Sequence, residues 1–211
     1  MFKMEAAKTP ISIYAEGTPN PSSMKFVANQ ILVDGKIREY SGPMEASDSP
    51  LAKMLFKFPF VNSVFISGNY ITVTKSDAVE WSDVALELRE TIQTFLNDGN
   101  KAVNPTEPSA ASSGKNEKTQ MNSSPQLSDD HVIPSPIDQQ IIDVLNEYIK
   151  PAVEQDGGAI QFKSYRDGLV TVLLRGACSG CPSSTYTLKS GIETVLQRLI
   201  PEVKEVVAEN Q

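Results

Sequence analysis

Leu169-Val-Thr-Val-Leu-Leu-Arg-Gly-Ala-Cys-Ser-Gly-Cys-Pro-Ser-Ser-Thr-Tyr-Thr187 is the stretch that decides how the second half of the chain folds. Leu169–Leu174 is a β-branched and aliphatic run of strand length. Gly176 and Gly180 interrupt it, and Pro182 carries the fixed φ that suits the first turn of a helix. That helix places Leu188, Ile192, Val195, Leu196 and Leu199 at steps of three and four, and Pro201 ends it. Cys178 and Cys181 therefore fall in a turn between a strand and a helix N-terminus.

Upstream, Ala159–Tyr165 is expected to pair with Leu169–Leu174 as a hairpin across Arg166-Asp167-Gly168. Before that, Ser135 caps and Pro136 opens a helix whose apolar face is Ile137, Ile141, Val144, Leu145 and Tyr148. Pro151 either kinks this helix or begins its exit, and Asp156-Gly157-Gly158 closes it in a backbone form open mainly to glycine.

The first half also reads as mixed α and β. Ile11–Ala15 alternates at period two, and Met24–Val27 and Ile37–Tyr40 are weaker strand candidates. Asp48-Ser49-Pro50 is a cap followed by proline at the first helical position. Val61–Ile66 and Tyr70–Thr74 flank Ser67-Gly68-Asn69, a hairpin signal. Trp81, Val84, Ala85, Leu88, Ile92 and Phe95 then form the apolar stripe of an amphipathic helix that stops at Asn97-Asp98-Gly99, a stripe read as core.

Between the halves, residues 98–134 are rich in Ser, Asn, Pro, Gly and charge. Such a composition buries too little apolar surface to offset backbone ordering at roughly 1–2 kcal/mol per residue. A random coil of this length spans on the order of 30–35 Å. The expected fold class is therefore α+β, with two small domains, 1–97 and 135–211, joined by a flexible linker over 98–134. Its single histidine, His131, lies in that linker and is expected to be idle.

The 211 residues carry a net charge of −7, spread over both halves and the linker, with no basic stripe. Phosphate-rich partners need such a stripe, so neither nucleic acid nor an anionic membrane is expected as a partner. No window has the length of apolar sequence that spans a bilayer. The start of the chain lacks a long apolar core and an Arg-rich amphipathic stretch, which suggests a cytoplasmic protein of bacterial type, or one of the mitochondrial matrix if the chain is a mature organellar form.

The chain has only two cysteines, Cys178 and Cys181, which is half of a four-thiolate metal site. The count points to a site shared between two molecules, and it excludes a disulfide framework. A helix N-terminus beside Cys181 favours thiolate, the form that binds metal. Gly176 and Gly180 admit bulky atoms close to the backbone. Ser183, Ser184 and Thr185 are available to donate to sulfur or to cap the helix, and Arg175 to offset the charge of a thiolate-ligated cluster. From spacing alone a shared metal or cluster site, a redox dithiol and incidental cysteines all remain open. Against the dithiol, no histidine accompanies the motif, and a hairpin rather than a strand–helix–strand unit is expected before it.

Lys150-Pro-Ala-Val-Glu-Gln-Asp-Gly-Gly158, Gly176–Lys189 and Ile200-Pro-Glu-Val203 closely resemble the C-terminal domain of the Nfu/NifU-type iron–sulfur scaffold and carrier family. The first half resembles the domain that precedes it in two-domain members, through Thr18-Pro-Asn-Pro-Ser-Ser-Met-Lys-Phe26, Ser49-Pro-Leu-Ala52, Ser63-Val-Phe65 and Ile71-Thr-Val-Thr-Lys75. The resemblance implies a non-enzymatic scaffold or carrier whose cofactor is a labile [4Fe–4S] cluster. Cys178 and Cys181 of each chain would be its ligands at a dimer interface. The implied partners are a second copy of the chain when loaded, apo iron–sulfur proteins as acceptors and an upstream cluster donor. For the first domain it implies partner recognition. A dithiol oxidoreductase or thiol-exchange factor is the alternative, and a zinc-bridged dimer the third. In one place the chain departs from the pattern: Ala159 stands where many relatives have an acidic residue.

Overall fold

Two hairpins and one short edge strand make the sheet of the first half. The computed structural model describes residues 9–35, 37–104, 135–179 and 182–210. The stretch 105–134, which holds most of the expected linker and His131, lies outside the described residues, and so does Cys181.

Strands β1 (Ile13–Gly17) and β2 (Ser23–Ala28) form the first hairpin, and β4 (Val61–Ser67) and β5 (Tyr70–Lys75) the second. With β3 (Arg38–Tyr40) they make an antiparallel sheet in the order β1-β2-β5-β4-β3. The β4–β5 turn is tight because Gly68 takes a left-handed φ of 52°. Alternation along each strand sends Phe26, Val64, Ile66, Ile71 and Val73 to one face. Helices α1 (Pro50–Leu55) and α2 (Trp81–Asn97) cover that face with Leu51, Leu55, Leu88 and Ile92, all fully buried. Each such side chain contributes about 1.5–3 kcal/mol on leaving water.

Ser49 caps α1 as its sequence suggests, accepting from Ala52 N at 3.0 Å. Its hydroxyl also donates to Ala102 O at 2.7 Å, and Asn104 N donates to Asp48 O at 2.8 Å. Residues 98–104, assigned to the linker on composition, are thus tied to the first unit, with Ala102 buried in its core. Their polarity is local, whereas the bonds that hold Ala102 and Asn104 are long-range.

The second half begins with α3 (Pro136–Val144), closed at its start by a capping box in which Ser135 and Asp138 exchange bonds. The helix does not end at Pro151. It widens to a π-type turn over Leu145–Ile149 and resumes as α4 (Lys150–Gln155), so that Pro151 sits in a first turn, where no N–H is missed. Strands β6 (Gly158–Arg166) and β7 (Leu169–Gly176) pair antiparallel, and Asp167 and Gly168 both take left-handed φ, 52° and 95°, in their turn.

Helix α5 (Pro182–Leu199) follows, and then a strand the sequence reading leaves unassigned, β8 (Glu205–Asn210). It pairs parallel to β7, giving the order β6-β7-β8. β7 is therefore the central strand, and β7–α5–β8 is a strand–helix–strand unit. This corrects the argument that a hairpin sets the motif apart from thioredoxin-like placement, because a strand both closes a hairpin and opens a crossover. Ile141, Val153, Val172, Leu174, Ile192, Leu196 and Val206 form the core between this sheet and its helices. The two halves are α+β units as expected.

Candidate functional site

Cys178 lies just past the end of β7, where Gly176 turns the chain with a left-handed φ of 68°. The turn is internally tied, with Ser179 N and Ser179 Oγ both bonded to Gly176 O at 3.1 and 2.8 Å. A site shared between two molecules would expose this thiol, and the structure places it differently. Cys178 is only 6% exposed and packs in the core of the second unit. Burial, and then the charge of Asp156, pushes its thiol from 9.0 up to about 11. In this conformation Cys178 is a neutral thiol at neutral pH, neither a poised nucleophile nor a ready ligand.

Close packing of the sulfur depends on glycine at position 158. A Cβ there would lie 2.5 Å from Cys178 Sγ and 2.8 Å from Arg175 O. Gly157 precedes it at a left-handed φ of 79°, closing α4 as the Asp156-Gly157-Gly158 run indicates.

The remaining residues around this turn come from the first unit, from the sheet face opposite its helices. Tyr70 Oη donates to Gly158 O at 2.7 Å, and Thr72 Oγ1 to Gly157 O at 2.6 Å. Asn20 Nδ2 donates to Ala177 O at 3.2 Å, and Gly176 N to Glu39 Oε1 at 3.1 Å. Lys25 Nζ reaches Gln155 O at 3.2 Å, pairs with Glu16 at 3.3 Å and lies 4.9 Å from the Tyr70 ring centre. Val27, Phe65 and Tyr70 enclose Ala159, which is 2% exposed.

The electrostatics of this contact follow from its dryness. Burial raises the Glu39 carboxyl above its ordinary value, against the lowering effects of the Gly176 N–H bond and the Arg175 charge. Arg175 thus faces Glu39 across the two units rather than standing free to balance a cluster. Burial likewise raises the Tyr70 phenol, which remains a donor.

Sequence reasoning finds Cys178; it quotes Asn20, Lys25, Phe65 and Thr72 only inside family motifs, without a role, and misses Glu39 and Tyr70. One signal points to them. Val64-Phe65-Ile66 is apolar without alternation, as in a strand buried on both faces.

The fold and site define a two-unit α+β protein whose Cys-x-x-Cys motif begins where a central strand hands over to a helix. Residues 13–99 match the family described as scaffold protein Nfu/NifU N terminal, and residues 141–207 the family described as NifU-like domain. The human protein named NFU1 iron-sulfur cluster scaffold homolog, mitochondrial, is 35% identical over 195 residues, covering 92% of this chain and 70% of the human one. The protein of that name in Drosophila sechellia is 34% identical over 202 residues, 95% of this chain and 66% of its own length. This chain therefore spans about two thirds of the length of these curated relatives. Among solved structures, the NifU-like protein of Saccharomyces cerevisiae is 21% identical with a TM-score of 0.42, over 50% of this chain and 95% of its own. Protein SAV1430 of Staphylococcus aureus is 23% identical with a TM-score of 0.34, over 38% and 96%. The chain belongs to the Nfu/NifU family of iron–sulfur cluster scaffold proteins.

Proposed function

We propose that this protein is a non-enzymatic scaffold or carrier that holds a labile [4Fe–4S] cluster as cargo and passes it to apo iron–sulfur proteins. Cys178 and Cys181 are the ligands, and two chains supply the four thiolates. The observation that carries this reading is the pairing of family membership with the cysteine inventory. A scaffold-family chain with two cysteines in 211 residues has just this one Cys-x-x-Cys to offer a cluster.

On this reading the second unit, 135–211, carries the cargo, the segment 105–134 joins it to the first unit, and the first unit, extended to residue 104, governs access and recognition. The cluster comes from an upstream donor. Thiolates presented at a shared edge let an acceptor's cysteines replace one chain's ligands stepwise, which suits transfer better than an enclosed site. The relatives are named mitochondrial. For this chain a reducing compartment suffices, the cytoplasm or an organelle matrix, since both ligands must stay reduced. Among the described residues no helix is long and apolar enough to cross a membrane.

Anaerobic reconstitution with iron and sulfide tests the reading. Thiolate-to-iron charge-transfer absorption, about two irons per chain and a dimer by native mass spectrometry are the expected result. Cys178→Ser and Cys181→Ser should each abolish it. A colourless zinc-bound dimer, or a dithiol that cycles without metal, would replace this reading by one of the two alternatives, and a loaded monomer with a whole four-iron cluster would refute bridging.

A further inference from the structure

The second face of the first sheet meets one segment pair of the other unit, Gly157–Ala159 and Gly176–Cys178, which are the two stretches that bracket the sulfur. Three of its side chains, Glu39, Tyr70 and Thr72, together with Asn20 from the adjoining β1–β2 turn, bond to main-chain atoms there. Two glycines allow the sheet to sit this close. A Cβ on Gly157 would meet Thr72 Oγ1 at 3.0 Å, and one on Gly176 would meet the Phe65 ring at 3.0 Å. Ala159, small and buried between Val27, Phe65 and Tyr70, completes the fit. Asn20, Glu39, Tyr70 and Thr72 are each paired across the contact, as a specific interface requires.

Resting on the bridging reading above, a geometric conflict follows. A cluster shared by two chains needs Cys178 to face a second chain, yet its sulfur is packed in the core of the second unit against Gly158, whose carbonyl is held by Tyr70 of the first unit. We propose that the sheet face formed by Asn20, Lys25, Glu39, Phe65, Tyr70 and Thr72 is a cap for the cysteine turn of its own chain. The cap is closed in the apo protein and lifts before a cluster bridges two chains. Its ligand is the backbone of the Gly157-Gly158 and Gly176–Cys178 turns. The cap shields an unloaded thiol from oxidation and stray metal. Lifting it also frees a mixed polar and apolar sheet face while the cargo is carried.

The test is pulsed alkylation of Cys178 in the reduced, metal-free full chain, read by peptide mass mapping, with the urea-unfolded chain giving the uncapped rate. The closed chain should react far more slowly than the unfolded one. Tyr70→Phe with Thr72→Val keeps shape and removes two bonds to the turn, and Ala159→Glu drives a carboxylate into the Val27, Phe65 and Tyr70 contact. Each should raise Cys178 alkylation about tenfold or more, the change expected when a closed state loses contacts of ordinary net strength. Far-ultraviolet circular dichroism should stay unchanged. Tyr70→Phe alone gives a graded, milder opening that survives if a stronger variant fails to fold. Iron uptake on anaerobic reconstitution should quicken in the same order.

Alkylation at the wild-type rate in every folded variant overturns the cap, as does rapid alkylation of the wild type. Faster alkylation with unchanged uptake overturns its gating of loading. Faster alkylation in a chain that never takes up iron upholds the cap and counts against the cluster reading instead.

Discussion

The Cys178 sulfur occupies the space that a side chain on Gly158 would need, 2.5 Å from where its Cβ would stand. Gly158 starts β6, and its neighbour across the ladder is Gly176, two residues before the cysteine. Position and reactivity of the thiol are thus set by a residue twenty places earlier in the chain.

Gly158→Ala should destabilise the second unit by about 1–3 kcal/mol, the ordinary cost of overpacking, since Arg175 O on the other side of the new methyl is backbone. Urea denaturation followed by circular dichroism measures this, and the same variant should label faster at Cys178. An unchanged midpoint would mean that the turn relaxes freely.

Cys178→Ser and Cys178→Ala should differ. The sulfur lies in an apolar core, where a hydroxyl costs more to desolvate than a thiol, whereas alanine leaves only a small void. Serine should lower stability by about 1–3 kcal/mol and alanine by less, while both remove cluster binding. Equal thermal midpoints would show that the site is wetter than its burial implies.

High pH should weaken the fold, and part of that loss comes through this thiol. The folded chain holds the Cys178 proton more tightly, with the value raised from 9.0 to about 11. The contribution is complete below the unfolded value and is lost as pH rises from about 9 to 11. The urea midpoint should fall across that window, and Cys178→Ala should flatten part of the fall. Parallel curves for the two proteins would remove the thiol as the cause.

Ser49→Ala should cost the first unit about 1–3 kcal/mol, more than an ordinary cap. Its hydroxyl is fully buried and serves both Ala52 N and Ala102 O. Hydrogen exchange should speed up over residues 101–104, which this bond holds to the start of α1. Protection that persists there would assign the anchoring to the Asn104–Asp48 bond alone.

Much of the fold is legible because its signals are local. Ser135 with Pro136 starts a helix, Gly68 and Asp167-Gly168 turn hairpins, and the stripe from Trp81 to Phe95 marks a buried helix face; all stand in the structure within a few residues of where they are read. Strand β8 was not legible. Its value lies in pairing parallel to β7 beyond an entire helix, and nothing within Glu205–Asn210 announces that partner.

The sequence by itself determined the elements up to the helix after the cysteine motif, the two α+β units and the candidate ligands, because caps, turns and periodicity act within a few residues of themselves. Only the tertiary structure decided that the polar face of the first sheet is covered, that Ala159 and Lys25 are buried and that Cys178 is a masked, neutral thiol. Alternation along a strand says which residues share a face, but not whether that face meets water or another unit. That choice is made by backbone carbonyls at Gly157, Gly158 and Ala177, which every sequence possesses and which become specific only when a distant sheet places Thr72, Tyr70 and Asn20 against them.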